Sequence, residues 1–181
     1  MTTASKVTMI RIAMIPIFFV VMMMEFPYAD LIALFIFAVA SATDGIDGYI
    51  ARKYNQVSDF GKFIDPLADK LLVMSAIMIF VQWGQMPSWA AMIIITREFA
   101  VTGLRLVAVE GGVVIAAGTS GKVKTVTSII AICFMLTPLH GRNLLAGITV
   151  DDICVWLMVI TTVWSGVEYF VQNRALLDVR K

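Results

Sequence analysis

The chain has 181 residues, of which 60% are hydrophobic, and its formal net charge is +1. A soluble domain is usually about 45–50% apolar, so this composition argues against a soluble protein and predicts one integral membrane domain over residues 1–181. The low charge and the absence of a basic run give no indication of a nucleic-acid partner. Cys133 and Cys154 lie in apolar segments, where packing is the expected role of a thiol.

Six apolar segments are each close to the roughly 20 residues that a helix needs to span a bilayer. Short polar links join them, the longest at 139–149, and no internal repeat is visible. The pattern therefore predicts an all-α protein of six transmembrane helices. Their expected ranges are 7–24, 31–52, 60–83, 88–109, 121–138 and 150–172.

Lysine and arginine residues concentrate at alternate ends of these segments. The positive-inside rule then places both termini in the cytoplasm, with Arg142 as the clear exception and Arg97 nearer the middle of the membrane. In this orientation Asp44 lies about 12 Å along the second helix from its cytoplasmic end at 1.5 Å per residue. The acidic residues of the second and third helices are therefore expected in the cytoplasmic half of the bilayer.

Two pairs of aspartates lie within the apolar segments that are predicted to span the membrane. Asp44 and Asp47 are spaced i, i+3, and Asp65 and Asp69 are spaced i, i+4, so each pair shares one helix face. A charge in hydrocarbon costs about 2.5–3.5 kcal/mol, which makes such residues functional candidates. Clustered carboxylates repel one another, and a hard divalent cation such as Mg²⁺, Mn²⁺ or Ca²⁺ relieves that repulsion. Pairing with nearby lysines at a solvated boundary is the alternative, but it leaves two facing pairs unexplained.

The segment that contains these pairs has a specific spacing. It can be written Asp44-x2-Asp47-Gly48-x2-Ala51-Arg52-x8-Gly61-x3-Asp65-x3-Asp69. This pattern resembles the signature of the CDP-alcohol phosphotransferase family, whose members join a CDP-activated lipid to an alcohol and release CMP. Because six helices are also that family's layout, the resemblance covers nearly the whole chain. It implies the CDP-alcohol phosphotransferase fold and a homodimer.

The resemblance also implies roles for the carboxylates. Asp44, Asp47 and Asp65 are expected to bind two metal ions, Mg²⁺ or Mn²⁺. Asp69 is expected to be the general base and a further metal ligand. A carboxylate beside the metal can take the proton of the attacking hydroxyl.

The CDP-lipid is expected to contact small residues and one arginine of the signature. Gly48 and Ala51 have little bulk, so a nucleotide can approach the backbone, and Arg52 offers a planar fork of donors to a diphosphate. In the first helix, Thr8 and Arg11 match the family's Asn-x-x-Thr-x-x-Arg pattern, although Ser5 replaces the asparagine and is assigned no contact. Alternatively, Thr8 bonds its own helix backbone and Arg11 is an interfacial anchor. The expected CDP-lipid contacts are Thr8, Arg11, Asp47, Gly48, Ala51, Arg52 and Gly61.

A second charged group lies in the fourth and fifth segments. Arg97 and Arg105 in the fourth, with Lys122 and Lys124 in the fifth, predict a cationic pocket for an anionic acceptor, above all a phosphate. Helix packing and the positive-inside rule are the alternative explanations. The stretches around these residues resemble the branch of the family whose acceptor is sn-glycerol 3-phosphate and whose donor is CDP-diacylglycerol. Glu98 is expected to act in support of these cations.

Other functions remain open at this point. A relative could use inositol phosphate, serine or phosphatidylglycerol as its acceptor, and charge alone does not exclude inositol phosphate. A divalent-cation transporter should show repeats and polar residues continuing to both membrane faces, and neither is seen. A membrane scaffold would give no account of the signature. The sequence therefore favours an enzyme of the bacterial cytoplasmic membrane, surrounded by lipid, with its active site toward the cytoplasm.

Overall fold

The computed structural model describes the backbone of residues 3–24, 26–54, 59–110, 115, 118–145 and 147–174. Side chains are described for residues 9–24, 26–43, 70–109, 115, 118–144 and 147–174. Six α-helices lie in this part of the chain, with bounds within a few residues of those predicted. They are α1 (Thr3–Met23), α2 (Ala29–Tyr54), α3 (Asp59–Gln82), α4 (Ser88–Glu110), α5 (Thr119–Met135) and α6 (Val150–Gln172).

The link between α5 and α6 contains an element that the sequence did not indicate. Strand β1 (Asn143–Leu145) pairs antiparallel with β2 (Ile148–Thr149) in a short hairpin. Gly147 has φ +84°, a conformation that glycine adopts without steric cost. The hairpin leads directly into α6, which begins with a capping box between Thr149 and Asp152. The all-α class is confirmed, with this hairpin as a small addition outside the helices.

Three helix connections meet at one end of the molecule. The α1–α2 link, including Met24 and Tyr28, lines a cavity together with Trp83 at the end of α3. Gln85 Nε2 of the α3–α4 link lies 3.4 Å from His140 Nδ1 of the α5–α6 link. Successive helices therefore run in alternating directions. The end of α2 and the start of α3, which carry the four aspartates, lie at the opposite end.

The core is formed where large apolar side chains of different helices meet. The α1 helix packs against α2 and α3, and α6 packs against α4 and α5. Phe18 and Phe37 are fully buried, with ring centroids 5.8 Å apart. Ile77 and Ile132 are buried in the same core. This packing fixes how far each helix is rotated about its axis, and so which charged side chains of neighbouring helices meet.

The outer surface of the bundle is also apolar. Phe35, Phe99 and Leu106 are each more than half exposed, and α6 exposes Trp156 and Trp164. Many other large apolar side chains of the helices are exposed as well, and extensive exposed apolar surface marks contact with lipid or protein.

One helix in the described part of the chain, Val150–Gln172, is long and apolar enough to cross a membrane on its own. The apolar stretches Met9–Met23, Ala29–Thr43 and Lys70–Gln82 are shorter. In α4 the apolar run is interrupted by Arg97, Glu98 and Arg105.

Candidate active site

The backbone brings the four aspartates to similar depths. A helix rises about 1.5 Å per residue. Asp47 therefore lies about 10 Å before the end of α2 at Tyr54, and Asp65 lies about 10 Å after the start of α3 at Asp59. By the same count, Asp44 and Asp69 both lie about 15 Å from these helix ends. Because α2 and α3 are in contact and run in opposite directions, the two pairs occupy corresponding levels of neighbouring helices.

The four aspartates are ligands of the type that a divalent metal such as Mg²⁺ or Mn²⁺ prefers, since all of them offer carboxylate oxygens. No group of three or more His, Cys, Asp or Glu side chains that could hold a metal occurs among the described residues. The four aspartate side chains fall outside that set, and so do those of the other signature residues and of Thr8. The predicted metal and CDP-lipid contacts of these residues therefore stay predictions. They are Thr8, Asp44, Asp47, Gly48, Ala51, Arg52, Gly61, Asp65 and Asp69.

Arg11 is the CDP-lipid candidate whose side chain is described. It is 2% exposed and is among the largest fully buried side chains of the protein. An arginine that anchors a helix at a membrane interface extends its head group outward toward water. The buried position of Arg11 argues against that alternative and places its guanidinium inside the bundle.

Glu98 is the centre of the charged residues on α4 and α5. Its Oε1 atom accepts a hydrogen bond from Lys124 Nζ at 2.6 Å and another from Arg97 NH1 at 3.1 Å. The Lys124 and Glu98 side chains are only 5% and 16% exposed, so the ion pair is largely shielded from solvent. Two cations of the described part of the chain thus share the carboxylate of Glu98.

Lys70 of α3 joins the same group through Thr102. Its Nζ donates to Thr102 Oγ1, and Thr102 Oγ1 donates to the backbone oxygen of Glu98 at 2.7 Å. Lys70 directly follows Asp69 in the chain, so this contact connects the carboxylate segment of α3 to α4. We refer to Lys70, Arg97, Glu98, Thr102 and Lys124 together as the charged cluster.

A cavity of about 30 Å³ lies beside the charged cluster. Its polar lining comprises Lys70, Glu98, Lys124, Thr125 and Ser128, and the rest of its wall is apolar. Ser128 Oγ is buried and has no hydrogen-bond partner within the described part of the protein. A space of this size with several polar neighbours can hold a water-sized polar group.

The other two predicted acceptor residues lie apart from this cavity. Arg105 is two turns beyond Glu98 on α4, where its Nε donates to Tyr169 OH at 3.3 Å and its guanidinium lies 5.5 Å from that ring's centroid. Lys122 is exposed in the first turns of α5. Of the four predicted cations, Arg97 and Lys124 are therefore brought together by Glu98, whereas Arg105 and Lys122 are not.

Sequence reasoning missed Lys70, Thr102, Ser128 and Tyr169 as members of this region. Lys70 carried one available signal, since it directly follows Asp69 in a segment already identified as functional. The other three are ordinary polar residues of apolar helices, and nothing in their spacing distinguishes them. They are found only where helices α3 to α6 meet.

Comparison with known proteins matches the pattern of CDP-alcohol phosphatidyltransferases to residues 1–164. The chain belongs to the CDP-alcohol phosphatidyltransferase family. The family expected from the signature is thereby confirmed. The matched range includes all four aspartates and the whole charged cluster, and it ends before Tyr169.

Several relatives are similar over most of the chain. A Bacillus subtilis protein named CDP-diacylglycerol–glycerol-3-phosphate 3-phosphatidyltransferase is 47% identical, and the match covers 93% of each chain. A Rickettsia bellii protein of the same name is 36% identical over 90% of each chain. A Mycobacterium tuberculosis protein named as a probable phosphatidylglycerophosphate synthase is 38% identical over 97% of this chain and 82% of its own.

Proposed function

We propose that the protein transfers the phosphatidyl group of CDP-diacylglycerol to sn-glycerol 3-phosphate, giving phosphatidylglycerophosphate and CMP. The names of the Bacillus subtilis and Rickettsia bellii relatives contain this donor and this acceptor. The observation in the structure that carries the proposal is the charged cluster. In it, Lys124 and Arg97 donate to Glu98, and Lys70, the residue after Asp69, donates to Thr102. The ion pair of Lys124 and Glu98 is largely shielded from solvent.

In this reaction the 1-hydroxyl oxygen of glycerol 3-phosphate attacks the β-phosphorus of CDP-diacylglycerol. Asp69 takes the hydroxyl proton, the new oxygen–phosphorus bond forms, and the bond to the oxygen of CMP breaks, so that CMP leaves with that oxygen. Asp44, Asp47, Asp65 and Asp69 would hold Mg²⁺ or Mn²⁺, in two sites. A metal ion bound there would neutralise the charge that develops on the leaving diphosphate oxygen.

The donor would be bound by residues of α1, α2 and α3. The burial of Arg11 supports this assignment, because it places the guanidinium inside the bundle and not at the lipid surface. Arg52 would donate to the diphosphate, and the small residues would let the nucleotide reach the helix backbone. The proposed donor contacts are Thr8, Arg11, Asp47, Gly48, Ala51, Arg52 and Gly61.

Arg97 and Lys124, which Glu98 brings together, would bind the acceptor phosphate at the cluster. Arg105 and Lys122, which lie apart from the cavity, would bind it as it enters. Lys124 has three N–H donors, so it can bond Glu98 and still donate to a phosphate. Arg105 uses its Nε in the hydrogen bond to Tyr169, and its guanidinium has four further N–H donors that would serve a phosphate. Lys122 is exposed, and it would meet the phosphate as it enters.

We also propose that all six helices cross the bacterial cytoplasmic membrane, with both termini and the active site toward the cytoplasm. The apolar outer faces of the helices support a lipid surrounding, and the alternating helix directions support six passes. Lysine and arginine residues favour the end that carries the aspartates. A homodimer is proposed from the family resemblance.

Purified protein in detergent would be supplied with CDP-diacylglycerol, Mg²⁺ or Mn²⁺, and a panel of acceptors while CMP release is measured. We expect glycerol 3-phosphate to give the highest kcat/KM among glycerol 3-phosphate, inositol phosphate, serine and phosphatidylglycerol. If none of them yields CMP, the protein is not this transferase. If inositol phosphate or serine is preferred, the proposed class of reaction is retained, but the assignment of glycerol 3-phosphate as the acceptor is wrong.

Removal of metal tests the assignment of the aspartates. A chelator should abolish CMP release, and added Mg²⁺ or Mn²⁺ should restore it, because the four carboxylates would otherwise repel the diphosphate. Unchanged turnover in excess chelator would contradict metal dependence. Melting with and without metal provides the matched control for loss of folded protein.

A further inference from the structure

We propose that Glu98 and Thr102 are positioning residues. From one face of α4 they hold Lys70 of α3 and Lys124 of α5 beside the same cavity. In this way they set where the acceptor's anionic group lies relative to the carboxylates of α3. The inference rests on the proposed function, because it concerns the acceptor of that reaction. Glu98 and Thr102 are four residues apart on a helix, so their side chains lie on the same face one turn from each other.

Thr102 fixes the ammonium of Lys70. A hydroxyl has one proton to donate, and Thr102 donates it to the Glu98 backbone oxygen at 2.7 Å. The hydroxyl oxygen then presents only lone pairs, and Lys70 Nζ donates to it. Lysine has a flexible stem with many rotamers, so a fixed acceptor at its tip selects one of them. The hydroxyl of Thr102 thus gives Lys70 a fixed acceptor where it crosses from α3 to α4.

Glu98 fixes Lys124 in the same way, but through charge. One carboxylate oxygen receives both Lys124 Nζ and Arg97 NH1. Glu98 thereby ties α5 to α4 at the wall of the cavity. Lys70 and Lys124 both line that cavity, and two ammonium groups on one cavity suit an anionic or polar occupant.

The cavity shows where these groups converge. Lys70 of α3, Glu98 of α4, and Lys124 and Ser128 of α5 all line it. Ser128 Oγ is buried there, with no partner in the part of the protein that the structure describes. Buried hydroxyls are normally hydrogen-bonded, so an unsatisfied one beside two ammonium groups indicates a polar occupant. The size of the cavity suits a water molecule or one polar group of a ligand.

The contact of Lys70 also bears on the position of Asp69. The two residues are consecutive in α3, so the link from Lys70 to Thr102 restrains the rotation of α3 at the level of the proposed base. A misplacement of reacting groups by about 1 Å can cost about 100-fold in rate. Because Lys70 and Lys124 line the cavity proposed for the acceptor, the positioning residues should affect the use of the acceptor much more than the binding of the donor.

Thr102→Val tests this with little change in shape, because it removes the hydroxyl and keeps the branched side chain. Losing a hydrogen bond to a charged group should raise the KM for glycerol 3-phosphate about 10-fold, with the KM for CDP-diacylglycerol changed less than about twofold. Thr102→Ser retains the hydroxyl and should restore the wild-type KM. Thr161→Val on α6 is the matched control, since Thr161 donates a comparable bond to Leu157 O at 2.8 Å away from the cluster.

A double-mutant cycle tests whether Thr102 acts through Lys70. In a Lys70→Met background, Thr102→Val should change the acceptor KM by less than about twofold, because the group it positions is gone. Glu98→Gln should also raise the acceptor KM selectively. Melting temperatures of all variants, measured in the same detergent, separate lost positioning from lost folding.

The inference is overturned if Thr102→Val keeps the wild-type acceptor KM, or if its effect is undiminished in the Lys70→Met background. It is also overturned if the KM values for donor and acceptor rise together with a fall in melting temperature, which would indicate a structural role. If the wild-type protein prefers another anionic acceptor, the proposed function is revised, and the effect of Thr102→Val on that acceptor decides the inference. If no acceptor yields CMP, both fail.

Discussion

Two regions of the molecule each hold a carboxylate away from solvent, and the donors to that carboxylate differ. In the charged cluster, near the middle of α4, Glu98 accepts from the side chains of Lys124 and Arg97. At the end of the molecule opposite to the aspartates, Asp151 is 6% exposed and its Oδ2 accepts from the backbone N–H of Gly141 at 3.0 Å. A lysine or arginine side chain can be shared with a ligand, whereas a backbone N–H that fixes a link cannot move without changing the fold.

The surroundings of Asp151 agree with a structural role. The next residue, Asp152, forms the capping box of α6 with Thr149, with hydrogen bonds of 2.9 and 3.1 Å. Trp89 and Trp156 pack nearby along the bundle with ring centroids 5.5 Å apart. The bond to Gly141 and the capping box join the link and its hairpin to the start of α6, and the tryptophan pair joins α6 to α4. Recognition is thus assigned to one region of the protein and stability to the other, and four sets of variants test that division.

The largest difference between the ends is expected from replacing their aspartates with asparagine. Asp69→Asn removes the proposed base and should lower CMP release by about 100- to 10,000-fold while weakening CDP-diacylglycerol binding much less. Asp151→Asn retains an oxygen that can accept from Gly141 and should keep turnover. Equal losses of turnover and donor binding in Asp69→Asn would make Asp69 a metal ligand and not the base.

The next effect concerns the stability of the charged cluster. Glu98→Ala leaves Lys124 buried without its carboxylate and should lower the free energy of unfolding by about 3 kcal/mol. The double variant Glu98→Gln with Lys124→Met removes both charges and should recover much of that loss, but not the acceptor KM. Unfolding in detergent and acceptor titrations would measure the two properties. Recovery of both would mean that the pair is only structural.

At the opposite end, Asp151→Ala should reduce stability without changing kinetics. It leaves the N–H of Gly141 without its acceptor, which costs about 1–3 kcal/mol. Thermal unfolding and the KM values for both substrates, compared with those of Asp151→Asn, would test this. A selective change in the acceptor KM would contradict the division between the two regions.

The smallest effect is expected at Gly166 of α6. A Cβ atom there would lie 3.2 Å from Arg97 Cγ, so Gly166→Ala should displace Arg97 slightly and raise the acceptor KM by about twofold. Gly103→Ala is the matched control, because a Cβ on that α4 residue meets nothing within 4 Å. It should stabilise the helix by about 0.5–1 kcal/mol. An unchanged acceptor KM in Gly166→Ala would show that Arg97 does not help to bind the acceptor.

The sequence by itself determined the six helices, their approximate bounds and the family. These depend on local information: apolar runs of nearly bilayer length, polar links between them, and a signature of fixed spacing within residues 44–69. The sequence also identified the cations of α4 and α5 as a group, because they are charged residues in apolar helices. The hairpin at Asn143–Thr149 was not foreseen, since its strands are too short to show an alternating pattern.

Only the tertiary structure decided which charged residues meet. Lys124 and Glu98 are 26 residues apart, and Lys70 and Thr102 are 32 apart, on different helices. Whether such residues touch depends on how far each helix is rotated and how deeply it packs, which the buried side chains of the whole core set together. The same packing separates Arg105 and Lys122 from the cavity. The residue types thus follow from the sequence, whereas their assembly into one cluster follows from helix packing.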